Sequence, residues 1–390
     1  MDPVTAQRTL TGLELKVGTR LPWSLYSPQG ALLLTEGTLI RSERQIESLI
    51  SANAYYVHTP SLGTYKTQEH QRSSSPKVSS FVIIHTLLER LEACFSLAHR
   101  SGQSGAFVRG IMKLVFDIQA VCEENPDAIL GTMQLIVEAP HGLLHPLHAA
   151  LMCEVAACRM GYDALERAPL VAAALTHDIG MYDIQQALFE QRAPLSASQR
   201  EIVDNHPLLS YELLQSHGVN EPRWLNPVLQ HHERLDGSGY PNGLKADSIC
   251  REARLLAITD CYSAMIRPRA YREQVLPKDA IKEIFQQRGA TIDERLARLF
   301  IDVMGVFVPG TLVELSHGEL ALVTGQGEGL NQPAVALLQN RLGVRLEAPR
   351  HLVLEDSQAI RSILRLQDHT DLIALLGRAW PEMSPIPSAV

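Results

Sequence analysis

From Phe81 to about Gly305 apolar residues recur at intervals of three and four, as in VIIHTLLERLEACFSLAHR and LHAALMCEVAACRMG. That spacing lays an apolar stripe along one face of an α-helix. A stretch of this length can bury its stripes only by packing helix on helix. The chain is therefore predicted to be mainly α, built around one large all-helical domain. Core packing accounts for nearly all of these stripes.

The flanks follow a different pattern. The pieces LELKVGTRL, LYSPQGALLLTEGTLI, SERQIESLISANA and YYVH alternate short apolar runs with glycine and proline turns, which predicts a small sheet with one helix over 1–62. The polar, serine-rich GTYKTQEHQRSSSPKVSS over 63–80 has the composition of a linker. The helical domain is placed at 81–306, with its motifs within 140–275. Strand-like runs beginning FVPGTLVELSHGELALVTG predict a short β extension over 307–356. SQAIRSILRLQDHTDLIALLGRAW predicts a C-terminal helix, followed by a frayed proline-rich tail, over 357–390.

Composition narrows the function classes. With 390 residues, 45% hydrophobic and 20% charged, the chain has the profile of a globular protein of two or three domains. Its formal net charge is −8, with no block of lysine or arginine; a polynucleotide partner would need a basic stripe. The six cysteines form no CxxC pair and read as reduced core residues. No run of about twenty apolar residues occurs and the N-terminus has no leader pattern, so no membrane span and a cytoplasmic location are expected.

Eight of the fifteen histidines fall between 141 and 232. A lone histidine in a helix is usually a core or surface residue. Several beside aspartates form a ligand set for iron, manganese, zinc or nickel. In LTHDIG, His177 and Asp178 are adjacent at the end of an apolar helix. Side chains one residue apart on a helix diverge by about 100°, so both can face one metal, or the carboxylate can bridge two. In HHERLDGSGYPNG, His231 and His232 close a second helix before a glycine-rich loop.

Through these two motifs the chain resembles the HD-GYP family, a branch of the HD phosphohydrolase superfamily, over roughly 140–310. His145 in HPLHAALMCEVAACRMG, His206 in NHPLLSYELL and Asp260 in RLLAITDCYSAM stand where that family carries further ligands. The resemblance implies an all-helical HD-type domain flanked by the small N-terminal module and the β extension. It also implies two divalent ions, iron or manganese. His145, His177, Asp178 and Asp260 would hold one ion, and His206, His231 and His232 the other, with Asp178 bridging. His177 and Asp178 would form the catalytic pair. Gly237, Gly239, Tyr240 and Pro241 of the loop, with Arg269, Tyr271 and Arg272 downstream, would form the substrate side. The implied activity is hydrolysis of cyclic di-GMP to pGpG or GMP. Diguanylate cyclases and a second copy of the chain are the partners this implies.

The family's HDIGK is HDIGM here, so Met181 stands where a lysine normally lies near the scissile phosphate. A thioether can neither neutralise a phosphate nor donate a proton. The alternative expectation is therefore a domain that binds cyclic di-GMP or a protein partner with little or no turnover. One turn before His145, His141 stands where some members carry a glutamate ligand to a third metal. It could be an extra ligand or a solvated rim residue, and His148, on the same face, is expected at the rim.

Overall fold

The computed structural model of the chain describes residues 76–386 apart from 99–103, 137–138, 268–274, 328–331 and 356–358, and before them 6–9, 17–18, 21, 25–28, 32–34, 38–51 and 55–58. It divides into two compact units, Met1–Ser74 and Ser75–Val390. Much of the segment read as a linker lies outside the described residues.

In the first unit, β1 (Ala6–Thr9), β2 (Leu25–Tyr26), β3 (Leu32–Leu34) and β4 (Tyr55–His58) form an antiparallel sheet in the order β1-β4-β2-β3. The helix α1 (Glu43–Ser51) supplies Ile46 and Leu49 to a small core with Leu21, Leu25 and Ile40. These are the apolar positions that the turn-punctuated pattern set apart.

The second unit opens with α2 (Ser80–Ala98), α3 (Ser104–Glu124), α4 (Pro126–Leu135), α5 (His141–Arg159) and α6 (Ala164–Thr176). It continues through α7 (Tyr182–Glu190), α8 (Ala197–Ser216), α9 (Pro222–Gln230), α10 (Arg251–Met265), α11 (Pro277–Gln287) and α12 (Glu294–Met304). Local chemistry sets several boundaries. The Asn125 side chain accepts the Ala128 N–H ahead of Pro126, and Asp163 with Glu166 and Ser196 with Gln199 form reciprocal capping boxes at the starts of α6 and α8.

Helix α5 is the axis of the domain, buried at every residue from His141 to Glu154. A helix covered on all sides needs small or apolar side chains all round. Ala149, Ala150, Ala156 and Ala157 of α5 and Ala172, Ala173 and Ala174 of α6 are fully buried, and such small side chains let the two helices approach closely. The charge buried between them is paired: Arg167 Nε donates to Glu154 Oε1 at 2.8 Å.

After α12 the chain forms β5 (Leu312–Leu315), β6 (Leu320–Gln326), β7 (Pro333–Gln339), β8 (Arg345–Val353) and β9 (Ile360–Leu364), an antiparallel sheet in the order β8-β7-β6-β5-β9. Strand alternation splits its apolar residues between two cores. Leu312, Leu320, Leu322, Ala336 and Leu338 join the main helical core, while Val313, Leu315, Val323 and Val335 pack with Phe307 and Leu354. The extension thus shares its core with the helices.

The C-terminal segment corrects two expectations. Ile360–Leu364, read as the start of a helix, is a strand: β5 offers it a free edge, with Val313 opposite Ile363 and Glu314 opposite Ser362. Helical turns occupy only Leu366–Leu372 and α13 (Ile373–Leu376). The tail, read as frayed, is pinned as far as Met383. Met383 exchanges two backbone hydrogen bonds with Val78, and Trp380 Nε1 donates to the Thr324 carbonyl. No helix among the described residues is long and apolar enough to cross a membrane.

Candidate metal centre

Five helices deliver seven ligand-type side chains to one place. His145 projects from α5, His206 from α8 and Asp260 from α10. His177 caps the end of α6, Asp178 leads into the short 3-10 turn Ile179–Met181, and His231 caps α9 with His232 next to it. Three groups have ligand atoms within 4.8 Å of one another: His145, His177 and Asp260; His177, Asp178 and His231; and His206, His231 and His232. Among the described residues no other set of histidine, cysteine, aspartate or glutamate does so.

Backbone carbonyls set the ring orientations. Nδ1 of His177, His206 and His231 lies 2.8, 2.6 and 2.7 Å from the carbonyl oxygen three residues earlier, at Ala174, Val203 and Val228. A carbonyl can only accept, so each Nδ1 carries the proton and Nε2 is the atom offered to the site. His145 is held differently, its Nδ1 lying 3.0 Å from Ser263 Oγ and its Nε2 2.9 Å from Asp260 Oδ1. Nε2 of His206 lies 3.1 Å from Nε2 of His231 and 3.1 Å from Asp178 Oδ1. Two imidazole nitrogens approach this closely only with a proton or another cation between them.

Asp178 lies between the groups, 3.7 Å from His145, 3.6 Å from His177 and 3.9 Å from His231. Burial works to raise the pKa values of Asp178 and Asp260, but the imidazoles around each overcome it and hold both well below the usual carboxylate range. Burial opposes charge on His177, yet Asp178 and Asp260 push it up to about 9. Burial, with the neighbouring imidazoles, lowers His231 well below the usual range and brings His232 down to about 4, so both are neutral lone-pair donors near neutrality. The lone pairs of His231 and His232 and the ionised carboxylates fit divalent metal, and a bound cation would take the place of the proton that Asp178 and Asp260 hold on His177.

The loop after His232 is built around Glu233, whose buried carboxylate accepts the N–H groups of Asn242 and Leu244 at 2.7 and 2.9 Å. Tyr240 stacks on His232 with ring centroids 4.6 Å apart. Gly239 is required because a Cβ there would lie 2.4 Å from the His232 carbonyl and the Arg234 nitrogen. Its missing side chain lets the loop fold back on the ligand segment. Of the predicted loop residues, Tyr240 lines the adjoining cavity, whereas Gly237, Gly239 and Pro241 do not. Arg269, Tyr271 and Arg272 lie outside the described residues.

That cavity, of about 630 Å³, is lined by His145, Asp178, His206, His232 and Asp260 of the ligand set and by Met181, Phe189, Arg192, Arg200 and Tyr240, while His177 and His231 lie behind them. His141 also lines it but is only 5% exposed, stacked between His145 and Phe189 at centroid distances of 5.2 and 4.3 Å. It belongs to none of the three ligand groups and is not a solvated rim residue. His148 is likewise not at the rim: it is 1% exposed against Tyr262, and burial with nearby Arg267 lowers it to about 3.

Three supporting residues escaped the sequence reading. Gln185 Nε2 donates to Asp178 Oδ2 at 2.6 Å, Ser263 meets His145, and Glu233 clasps the loop. Ser263, one turn after Asp260, and Glu233, directly after His232, left a trace in the sequence; Gln185 left none.

Fold and site together define a class: a helical domain whose histidines and aspartates, gathered from the bodies of three helices and the ends of two others, can hold divalent ions. Residues 131–296 match the family model of the HD domain. The chain is similar to the cyclic di-GMP phosphodiesterase PdeB of Borreliella burgdorferi, 26% identical over 187 residues, 48% of this chain and 49% of that protein. It is also similar to the cyclic di-GMP phosphodiesterase PA4108 of Pseudomonas aeruginosa, 30% identical over 224 residues, 57% and 54% of the two chains. It thus spans about half the length of these relatives. Among solved structures, Bd1817, a HDG"Y"P protein from Bdellovibrio bacteriovorus, aligns at 16% identity and a TM-score of 0.47, covering 76% of this chain and 99% of that one.

Proposed function

We propose that this chain is a metal-dependent phosphodiesterase that hydrolyses cyclic di-GMP to pGpG, GMP or both. Two divalent ions, iron or manganese, would be held by His145, His177, Asp178 and Asp260 and by His206, His231 and His232, with Asp178 shared. The observation that carries the reading is that three ligand groups, sharing His177 and His231, are gathered beside a cavity that five of their residues line. The names of PdeB and PA4108 as cyclic di-GMP phosphodiesterases support the choice of substrate.

Bound divalent ions at such a site supply Lewis acidity and a nucleophile available near neutral pH. The chain's own residues position. Gln185 holds one oxygen of Asp178 so that the other faces His206 and His231. Tyr240, stacked on His232, presents an aromatic wall to a nucleotide base. A cytoplasmic location, an accessory role for Met1–Ser74, and association with diguanylate cyclases or a second copy belong to the same proposal.

The test is turnover by anaerobically purified protein loaded with manganese or iron. Cyclic di-GMP should yield pGpG or GMP, with cyclic GMP-AMP and cyclic di-AMP as competitors in the same assay. Absence of product from protein with two metals bound would overturn the reading and favour the binding-module alternative suggested by Met181.

A further inference from the structure

A phosphodiester substrate brings negative charge into a site whose floor already carries Asp178 and Asp260. Met181, the last residue of the 3-10 turn, stands where the HD-GYP pattern HDIGK has its lysine; it lines the cavity and supplies no charge. Among the described residues that line this cavity, the permanently charged cations are Arg192 and Arg200. Arg192 lies in the segment joining α7 to α8, and Arg200 in the first turn of α8.

This segment is braced where the arginines emerge. Gln191 and Gln199 exchange side-chain amide hydrogen bonds, Gln199 Nε2 to Gln191 Oε1 at 2.8 Å and Gln191 Nε2 to Gln199 Oε1 at 3.2 Å. Gln191 Nε2 also reaches the carbonyls of Ala193 and Pro194 at 2.9 and 3.0 Å, and Gln199 completes the capping box with Ser196. Arg192 follows one member of the amide pair and Arg200 follows the other, so a single clasp sets the spacing of the two cations. Arg200 has only a 4.0 Å ion pair with Asp204, both side chains at least half exposed. Such a pair is weak and yields readily to a phosphate, which a guanidinium can grip through two parallel hydrogen bonds.

We infer that Arg192 and Arg200, held by the Gln191–Gln199 clasp, bind the phosphodiester of the substrate and supply the positive charge that Met181 does not. The inference rests on the phosphodiesterase reading and, among the described residues, places phosphate recognition on Arg192 and Arg200 rather than on the turn that carries Met181. The two arginines are substrate-binding residues; Gln191 and Gln199 are positioning residues.

The experiment measures KM and kcat of the metal-loaded full chain with cyclic di-GMP and, separately, with bis(4-nitrophenyl) phosphate, for the parent protein, R192A, R200A and the double variant. Each single change is expected to raise KM for cyclic di-GMP by about tenfold, the worth of one charge-assisted contact. Metal content should not change. The double variant should also flatten the dependence of KM on salt concentration, because fewer charges are screened. M181K added to the double variant should recover part of the lost affinity, a rescue that a merely structural role for the arginines would not permit. Unchanged KM and salt dependence in the double variant, with the parent active on cyclic di-GMP, would overturn this inference and leave the phosphodiesterase reading standing. A parent that turns over only bis(4-nitrophenyl) phosphate would overturn the choice of substrate, and the arginine effect would then be read on that ester. A parent that acts on neither would overturn both.

Discussion

Nε2 of His206 lies 3.1 Å from Nε2 of His231, while Nδ1 of each ring is held by a carbonyl of its own helix. The rings present their acceptor nitrogens to one another from α8 and from the end of α9, an arrangement that a shared metal ion relieves. His231→Ala should therefore lower bound metal from two equivalents to one, read by elemental analysis of desalted protein. Activity should fall by more than about 100-fold, above the range seen when only a group supporting a ligand is lost. Full metal content in this variant would show that the ring pair is structural.

Gln185 offers a gentler perturbation of the same centre. Its amide fixes Asp178 Oδ2 at 2.6 Å and it is itself 4% exposed. Gln185→Ala should weaken metal binding or kcat by roughly 10-fold to 100-fold, as expected for a group that orients a ligand carboxylate. Chelator competition measures the metal side, and stability in urea should change far less.

The Glu154–Arg167 pair predicts a stability effect separate from the chemistry. The two residues are 1% and 2% exposed. Glu154→Ala would strand a buried guanidinium and should cost about 3–5 kcal/mol in urea unfolding. Replacing both residues with apolar side chains of similar volume should recover most of that loss.

Asp127 predicts a pH effect of definite sign. Burial raises its carboxyl to about 6, opposed by a hydrogen bond from the Gln326 backbone N–H. The folded state therefore holds this proton more tightly than the unfolded chain does. Its contribution to stability is fully present below the ordinary carboxylate pKa and is lost as pH rises towards 6. Asp127→Asn keeps an acceptor for that N–H and removes the charge. The variant should gain stability relative to the parent as pH rises from 4 to 7, by urea unfolding across that range. An unchanged difference would place the titration elsewhere.

Gly239 tests the loop. A Cβ 2.4 Å from the His232 carbonyl must push the loop away, carrying Tyr240 off the His232 ring. Gly239→Ala should raise KM for cyclic di-GMP more than it lowers metal content, measured by steady-state kinetics with parallel metal analysis.

The sequence by itself determined the helical character of the central domain, because three-and-four periodicity is a local property written in consecutive residues. It also determined which side chains could serve as ligands, since all seven stand in recognisable local contexts such as LTHDIG and the HHERLDGSGYPNG loop. Tertiary structure alone decided their mutual geometry: which nitrogen each ring offers depends on a carbonyl, a hydroxyl or a carboxylate brought near by folding. It also decided that Gln185 and Glu233 support the site, that His148 is buried, and that Ile360–Leu364 is a strand. Each of these depends on a partner distant in the chain. The edge of β5 needed a neighbour, α5 needed cover on every side, and Asp178 needed a donor, and no local pattern records those needs.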